Sequence, residues 1–445
     1  MLLRLLLLIP IIFIPNTVRF DVATGIPVLN LTNILLLVMV AVLAAGPRER
    51  LLPRSQGELT APLLALFALL FLGFLFAQIA TPGNILEDVV YLKNAIFYPL
   101  FYFIYRNCRQ DLAFTRKLII LMMIVVAIAG LEAIRQGLAY GIGNYSDATR
   151  ASGPFGDTSN NANLAGIFFV IFLPLFVSSV LFLRGHVFWR LAAIGGCAIL
   201  GLGIMVTYSR QSYLIAVVCM ALLLMRRKLA LAIMLAALAI PAIGLLPDSV
   251  SQRVQETQQQ SATGEEQYDT SAASRFVIWK GAFGMLLDHP LGVGMNRFKH
   301  HIGKYAPAFK GFDAHNFYVL TIAEFGPFGL GVLIWLFWRF WRLTRQVEAS
   351  VAPEDSEARS LTFGFTLAVL AMALGNLYGS RIFSGTMMAD FWILCGLMER
   401  YAALKLAAAT TPGILATEPV RATEALAQRF PLAARVLPGR YTRGR

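Results

Sequence analysis

Residues 161–183 read NANLAGIFFVIFLPLFVSSVLFL, an apolar run without a charged side chain. About twenty helical residues cross the roughly 30 Å hydrocarbon core of a bilayer, so this run is long enough to span a membrane. Similar runs recur along most of the chain, whose composition is 57% hydrophobic and only 14% charged. These proportions exclude an ordinary soluble globular protein and predict an all-α integral membrane protein.

The recurring apolar runs predict about twelve transmembrane helices. The first run lacks a cleavage site of the Ala-x-Ala type and continues directly into the next segment, so we expect a retained helix rather than a signal peptide. The predicted spans are residues 1–15, 28–45, 60–79, 86–105, 117–137, 161–183, 187–207, 211–225, 228–246, 316–338, 360–379 and 384–399.

Positive charge is distributed unevenly between the predicted loops. Arg and Lys are concentrated in alternate loops and in the C-terminal tail. Because loops rich in these residues stay in the cytoplasm, both termini are predicted to be cytoplasmic. The net charge of +13 then reflects topology and contact with anionic membrane lipids, and the sequence contains no module for binding nucleic acid. The short loops on the outer side contain only Arg19, Arg150, Arg210 and Arg381 as basic residues.

This topology divides the chain into successive parts. Residues 1–246 form spans one to nine, 247–315 a large outer loop, 316–400 the last three spans, and 401–445 a basic cytoplasmic tail. Within the loop, apolar residues at helical spacing predict an amphipathic helix over 274–289, with Ser274 as its N-cap. The residues that define its apolar face are Phe276, Trp279, Phe283, Leu286 and Leu287.

Ionisable residues at the outer ends of the spans are the main functional candidates, because such groups are costly near a membrane unless they face a cavity. Arg210 lies among hydroxyl and amide side chains, which suits an anion site; the alternative is a snorkelling residue at a helix end. His315 follows the outer loop, where it serves either in proton transfer or as an interfacial cap. For Arg275 and Arg150, the alternative is an exposed surface charge.

Motifs for common catalytic and cofactor sites are absent from the sequence. We find no metal-ligand spacing, no nucleotide-binding loop and no serine nucleophile motif, so no metal or cofactor is predicted. Arginines and a histidine suit an anionic, pre-activated substrate, since guanidinium groups bind pyrophosphate bidentately and an imidazole deprotonates an acceptor hydroxyl. Glu324, inside the tenth span, is predicted either to pair with Arg381 or to belong to the site.

The order of motifs across roughly residues 150–330 resembles the O-antigen ligase superfamily, which also contains O-antigen polymerases and bacterial O-linked protein glycosylases. The resemblance rests on RASGPF at 150–155, YSRQSY at 208–213, RFVIW at 275–279, HPLGVG at 289–294, AHNFY at 314–318 and EFG at 324–326. The ligase pattern of one arginine at a helix end, a second in the loop and a histidine at the loop's exit falls on Arg210, Arg275 and His315.

The resemblance implies a metal-independent glycosyltransferase of the bacterial inner membrane, with its active site on the periplasmic side. As a ligase it transfers O-antigen from undecaprenyl pyrophosphate to the lipid A–core oligosaccharide. His315 is then the general base and Arg210 and Arg275 bind the pyrophosphate, while Arg150, Tyr213 and Asn316 are further predicted substrate-binding residues. The alternatives are a polymerase or a protein glycosylase with the same donor, and, outside enzymes, a lipid-linked glycan transporter.

Overall fold

The structure, a computed structural model, describes residues 2–16, 30–46, 56–141, 146, 149–156, 161–227, 258–260, 266–268 and 270–410. These residues are helical apart from loops and one pair of three-residue antiparallel strands, β1 (Gln258–Gln260) and β2 (Glu266–Tyr268). The predicted helical class is therefore confirmed for this part of the chain, with the strand pair as an addition.

The described residues form fourteen α-helices and three turns of 3₁₀ helix. Helical turns of the 3₁₀ type occupy Ile14–Asn16, Gly153–Phe155 and Pro307–Phe309. The α-helices are α1 (Leu2–Phe13), α2 (Leu31–Ala45), α3 (Thr60–Ala80), α4 (Ile85–Phe97), α5 (Leu100–Arg106), α6 (Leu112–Tyr140), α7 (Ala162–Phe182), α8 (Val187–Val206), α9 (Arg210–Arg227), α10 (Thr270–Asp288), α11 (Phe298–Tyr305), α12 (Phe317–Ala349), α13 (Ser356–Gly375) and α14 (Gly385–Thr410).

Side-chain caps explain where several of these helices begin. The Asn84 side chain accepts a hydrogen bond from the amide of Leu86 at 3.1 Å before α4, and Asp111 accepts one from the amide of Phe114 at 2.7 Å before α6. Each cap satisfies an N–H group that the first helical turn leaves without a backbone partner.

Several helices are suited to a bilayer by length and composition. Within the described residues, six qualify: Thr60–Ala80, Leu112–Tyr140, Ala162–Phe182, Val187–Val206, Phe317–Ala349 and Ser356–Gly375. Shorter apolar helices cover Leu2–Asn16, Leu31–Ala45 and Arg210–Met225. The predicted spans with described residues all fall on helical segments, although 86–105 is divided between α4 and α5. The predicted span 228–246 and the tail residues 411–445 lie outside the described residues.

Helix α7 lies at the centre of the bundle. Its most apolar stretch is 78% buried, compared with 22% for α3, and it packs against α8, α9 and α13. Small residues permit this close packing: a Cβ atom at Gly364 of α13 would lie 2.7 Å from Cα of Leu175 on α7. A helix that is apolar on every side can be buried in this way, because the helices around it are as apolar as lipid.

Charged side chains join the helices at the end of the bundle away from the predicted site. Glu399 of α14 accepts hydrogen bonds from the Tyr102 hydroxyl at 2.6 Å and from Nε of Arg106 at 3.1 Å. Lys405 of the same helix forms an ion pair with Asp355 at 2.6 Å. These contacts tie α14 to α5 and to the start of α13.

Helix α12 is broken near its beginning, and the loop after α10 fills the break. Gly326 has φ of 59° and is followed by Pro327, which has no N–H to donate to the Ala323 carbonyl. The amide of Val293 donates to that carbonyl instead, at 3.0 Å. A Cβ atom at Gly326 would lie 2.6 Å from the carbonyl oxygen of Pro290, so the contact requires glycine.

A buried ion pair anchors the same loop to α4. Both nitrogens of the Arg297 guanidinium fork bind the Asp88 carboxylate, at 2.8 and 2.5 Å, and the two side chains are 1% and 2% exposed. Nε of Arg297 donates to the Thr81 carbonyl at 2.7 Å, while Gln78 and Asn296 donate to Asp88. The buried charges are thus paired and surrounded by further hydrogen bonds.

The predicted amphipathic helix forms, but its start and its buried face differ from expectation. Helix α10 begins at Thr270, so Ser274 lies inside it and is not its N-cap. Phe276, Phe283 and Leu287 are 58%, 62% and 68% exposed. The residues of α10 that are buried against α11 and α12 are Ile278, Ala282 and Met285.

Candidate functional site

His315 lies in a tight turn immediately before α12. Its φ is 49°, in the left-handed region, and its amide donates to Oδ2 of Asp313 at 3.3 Å. The same carboxylate oxygen accepts from the Ser380 hydroxyl at 3.1 Å, which ties the turn to the loop between α13 and α14. The cap of α12 is Asn316, whose side chain accepts from the amide of Tyr318 at 2.9 Å. Among the described residues, no hydrogen bond to the imidazole is found, so its nitrogens are available for a substrate.

Helix α10 holds Arg275 beside this turn. Trp279, one helical turn further on, donates from Nε1 to the carbonyl of Ala314 at 2.9 Å. The guanidinium carbon of Arg275 lies 5.6 Å from the centre of the Tyr378 ring, a cation–π contact with the loop after α13. The indole bond and the ring contact therefore fix both the arginine and the segment that carries His315.

Arg210 reaches the same region from α9, of which it is the first residue. Its neighbour Gln211 donates from Nε2 to the carbonyl of Gly375 at 2.7 Å. The amide of Phe317, two residues after the histidine, donates to the carbonyl of Asn376 at 2.9 Å. The segments of Arg210 and His315 are thus held by adjacent peptide groups at the end of α13. A half-buried arginine at a helix N-terminus is well placed to bind an anion.

The weaker candidates have contacts inside the protein. Arg150 is 9% exposed and donates to the Thr207 carbonyl at 3.0 Å and to Oδ1 of Asn163 at 2.6 Å. These bonds brace the turn that precedes Arg210. The hydroxyl of Tyr213 donates to the carbonyl of Met205 at 2.7 Å. Substrate binding by Arg150, Tyr213 and Asn316 stays a prediction, and each of these side chains also has a structural partner.

Arg381, which the sequence identified as a basic residue of an outer loop and as an alternative partner of Glu324 but not as a site residue, also lies close to His315. It lies in the loop between α13 and α14, and its amide donates to Oδ1 of Asn376 at 3.0 Å. Burial lowers the pKa of its guanidinium to about 10, which the nearby Asp313 carboxylate opposes. For Glu324 the sequence left open either pairing with Arg381 or membership of the site; in the described residues its side chain accepts from the amide of Phe298 at 3.2 Å. An arginine in a short loop gives no sequence pattern that predicts this position.

The surroundings of His315 favour its neutral form. Burial lowers the pKa of the imidazole below its ordinary 6.5, and the positive charges of Arg275, Arg381 and Lys299 lower it further, while Asp313 opposes them. A histidine that stays neutral near pH 6.5 can accept a proton from a hydroxyl group.

The residues that the structure describes contain no group of three or more His, Cys, Asp or Glu side chains that could hold a metal ion. The positive charges of Arg275, Arg381 and Lys299 act on His315, and the segment that carries Arg210 is held at the same end of α13. Such a set binds negatively charged substrates and offers one base.

One segment of the chain, which includes the three main site candidates, matches a known family model. Residues 195–334 match the family model described as O-antigen ligase, which confirms the resemblance to the O-antigen ligase superfamily. The matched segment includes Arg210, Arg275 and His315. It supports an activity of the ligase or polymerase type on lipid-linked glycans in general. The search of curated proteins found no match to this chain.

Proposed function

We propose that this protein is an O-antigen ligase of the bacterial inner membrane. It transfers O-antigen from undecaprenyl pyrophosphate to the lipid A–core oligosaccharide without a metal ion. In this proposal the chain crosses the membrane about twelve times, both termini are cytoplasmic, and the 247–315 loop and the site are periplasmic. The observation that carries it is the convergence of Arg210, Arg275 and His315 around the end of α13, within the segment that matches the family.

The reaction needs one base and one anion site. The imidazole of His315 takes the proton of an acceptor hydroxyl while that oxygen attacks the anomeric carbon of the donor sugar. The bond from this carbon to the pyrophosphate oxygen breaks, and undecaprenyl pyrophosphate leaves with the bonding electrons. Arg210 and Arg275 hold the pyrophosphate and stabilise the negative charge that develops on it.

The first test reconstitutes the purified protein in liposomes with an undecaprenyl-pyrophosphate-linked glycan and lipopolysaccharide that lacks O-antigen. No nucleotide or divalent metal is added. We expect glycan to appear on the lipopolysaccharide, resolved by gel electrophoresis. Lengthening of glycan on the undecaprenyl carrier would identify a polymerase instead, transfer to an added protein would identify a protein glycosylase, and movement across the bilayer without covalent change would identify a transporter.

Removal of the Arg275 guanidinium tests the anion site. We expect Arg275→Ala to lower kcat/KM for the donor about ten- to hundredfold, since charge-assisted hydrogen bonds contribute about 1.5–3 kcal/mol each. The matched control is Lys280→Ala, which removes an exposed cation from the same helix and is expected to leave the rate unchanged. Equal losses in the two variants would indicate general electrostatic attraction rather than a binding site.

The pH dependence of transfer tests the base. Only neutral imidazole accepts a proton, so the acid limb of the rate profile is expected to have its midpoint below pH 6.5, the ordinary pKa of histidine. Asp313→Asn removes the carboxylate that opposes this lowering of the His315 pKa, and its amide oxygen can still accept the backbone hydrogen bond. The midpoint is therefore expected to fall further in this variant. A midpoint that rises, or that does not move, contradicts the assignment.

A further inference from the structure

A polar cavity of about 280 Å³ lies beside the turn that carries His315. Asp313 forms part of its wall and also accepts the amide hydrogen of His315, so the cavity adjoins the proposed base. Neither Arg210 nor Arg275 lines it. The lining residues come from α4, α11, α12 and the loops before α11, α12 and α14, and are Tyr91, Asn296, Phe298, Lys299, Asp313, Leu320, Glu324, Ser380, Phe383 and Ser384.

The wall contains the buried carboxyl group of Glu324. Glu324 is 3% exposed, and its Oε1 accepts from the amide of Phe298 at 3.2 Å. Within the described residues, Oε2 accepts no hydrogen bond. A buried carboxyl oxygen in an apolar helix is costly unless a donor satisfies it. The ligand of this cavity is therefore expected to bring a hydrogen-bond donor.

The remaining groups indicate what kind of ligand brings that donor. The hydroxyls of Tyr91, Ser380 and Ser384 both donate and accept, and the Phe298 and Phe383 rings offer apolar faces. The Asp313 carboxylate offsets the ammonium of Lys299, so the lining carries no excess positive charge that would favour a phosphate. Its volume is close to the lower end of the about 300–1,000 Å³ of small-molecule sites. Neutral, hydroxyl-rich sugars have this chemistry.

We propose that the cavity binds the sugar unit that presents the acceptor hydroxyl, with Oε2 of Glu324 accepting a hydrogen bond from one of its other hydroxyls. This proposal rests on the proposed function, because it places the acceptor on the side of His315 formed by Asp313, Glu324 and Ser380. The two arginines Arg210 and Arg275 then remain for the pyrophosphate of the donor.

Glu324→Gln tests the proposal. The amide oxygen keeps the bond to Phe298, while the second oxygen becomes an NH₂ group that cannot accept. We expect KM for the acceptor to rise about tenfold or more, with KM for the donor unchanged. Ser384→Ala, which alters another lining residue of the cavity, is also expected to raise KM for the acceptor. It replaces Glu324→Gln as the test if that variant does not fold. The matched control is Glu87→Gln, which changes an exposed glutamate of α4 and is expected to alter neither constant.

Binding is also measured without turnover, with a core oligosaccharide freed of its acyl chains and titrated calorimetrically into the purified protein. Weaker binding to Glu324→Gln than to the unaltered protein supports the acceptor cavity even if no transfer to lipopolysaccharide occurs. If the unaltered protein transfers glycan but both acceptor KM and oligosaccharide affinity are unchanged in Glu324→Gln and Ser384→Ala, the cavity proposal is overturned and the ligase proposal stands.

Discussion

Replacement of His315 by alanine is expected to lower the rate of glycan transfer about 10²–10⁴-fold, the usual contribution of a positioned general base. The imidazole has no hydrogen-bond partner in the described part of the protein, and its removal therefore breaks no bond that holds the bundle together. We expect the variant to insert in the membrane and to show an unaltered thermal unfolding midpoint. The rate is measured in the proteoliposome assay at saturating donor and acceptor.

The left-handed backbone at His315 requires a second variant, because alanine is strained at φ of 49° and the turn itself could shift. Asparagine adopts this conformation readily but cannot accept a proton at neutral pH. His315→Asn is therefore expected to lose as much activity as His315→Ala. His300→Ala, which alters an exposed histidine of α11, is the control and should keep full activity. Near-normal transfer by the asparagine variant would exclude His315 as the base.

Loss of the buried guanidinium of Arg297 is expected to have the largest effect on stability. Arg297→Met leaves the Asp88 carboxylate buried without its counter-charge, and breaking a buried pair in this way costs about 3–5 kcal/mol. The unfolding midpoint of the purified protein is measured by the loss of monodisperse material after heating. Lys304→Ala, which removes the partner of exposed Asp288, is the control and is expected to change the midpoint little.

The double variant Asp88→Leu/Arg297→Met distinguishes two causes of the expected loss of stability in Arg297→Met, the unpaired charge of Asp88 and the loss of packing. With both charges removed, no uncompensated ion remains, and we expect the double variant to be more stable than Arg297→Met alone. A double variant that is less stable than the single one would mean that Asp88 is stabilised well enough by Gln78 and Asn296 without the arginine.

Helix positions could be predicted from the sequence because the length of an apolar run and the polar groups that end it are local properties. The predicted span 60–79 and the helix Thr60–Ala80 differ by one residue, and 187–207 and Val187–Val206 agree similarly. The run at 86–105 shows the limit of this argument. Pro99 lies within it and separates α4 from α5, which hydropathy alone did not predict.

Only part of the predicted apolar face of α10 is packed: Trp279 lies against the buried cluster, whereas Phe276, Phe283 and Leu287 are exposed. Helical spacing of large apolar residues identifies a core face only where the opposite face is in water. In α10 the large residues Phe276 and Phe283 are exposed, while the smaller Ala282 is buried with Ile278. Near a membrane, apolar side chains are tolerated on the outer surface as well, so periodicity does not distinguish the two faces.

The three main site candidates followed from the order of their motifs, but the way in which they are held together did not. The segments that carry Arg210 and His315 are held by the backbone carbonyls of Gly375 and Asn376. No pattern of side chains predicts these bonds. The same holds for the bond from the Phe298 amide to Glu324. Each of these bonds has a main-chain group on at least one side, and almost any residue can supply such a group, so the sequence does not reveal the contact.

The Asp88–Arg297 pair also sets an order for biosynthesis. The two residues are 209 positions apart, so the ribosome delivers the carboxylate long before its guanidinium. During that interval the Asp88 carboxylate, on the hairpin of α3 and α4, has the Gln78 side chain as a partner, whereas Asn296 and Arg297 have not yet been synthesised. In a nascent chain halted before residue 297, this hairpin is therefore expected to be less stable and more readily degraded than in the complete protein. Synthesis of the segment that carries Asn296 and Arg297 therefore completes the set of partners of Asp88.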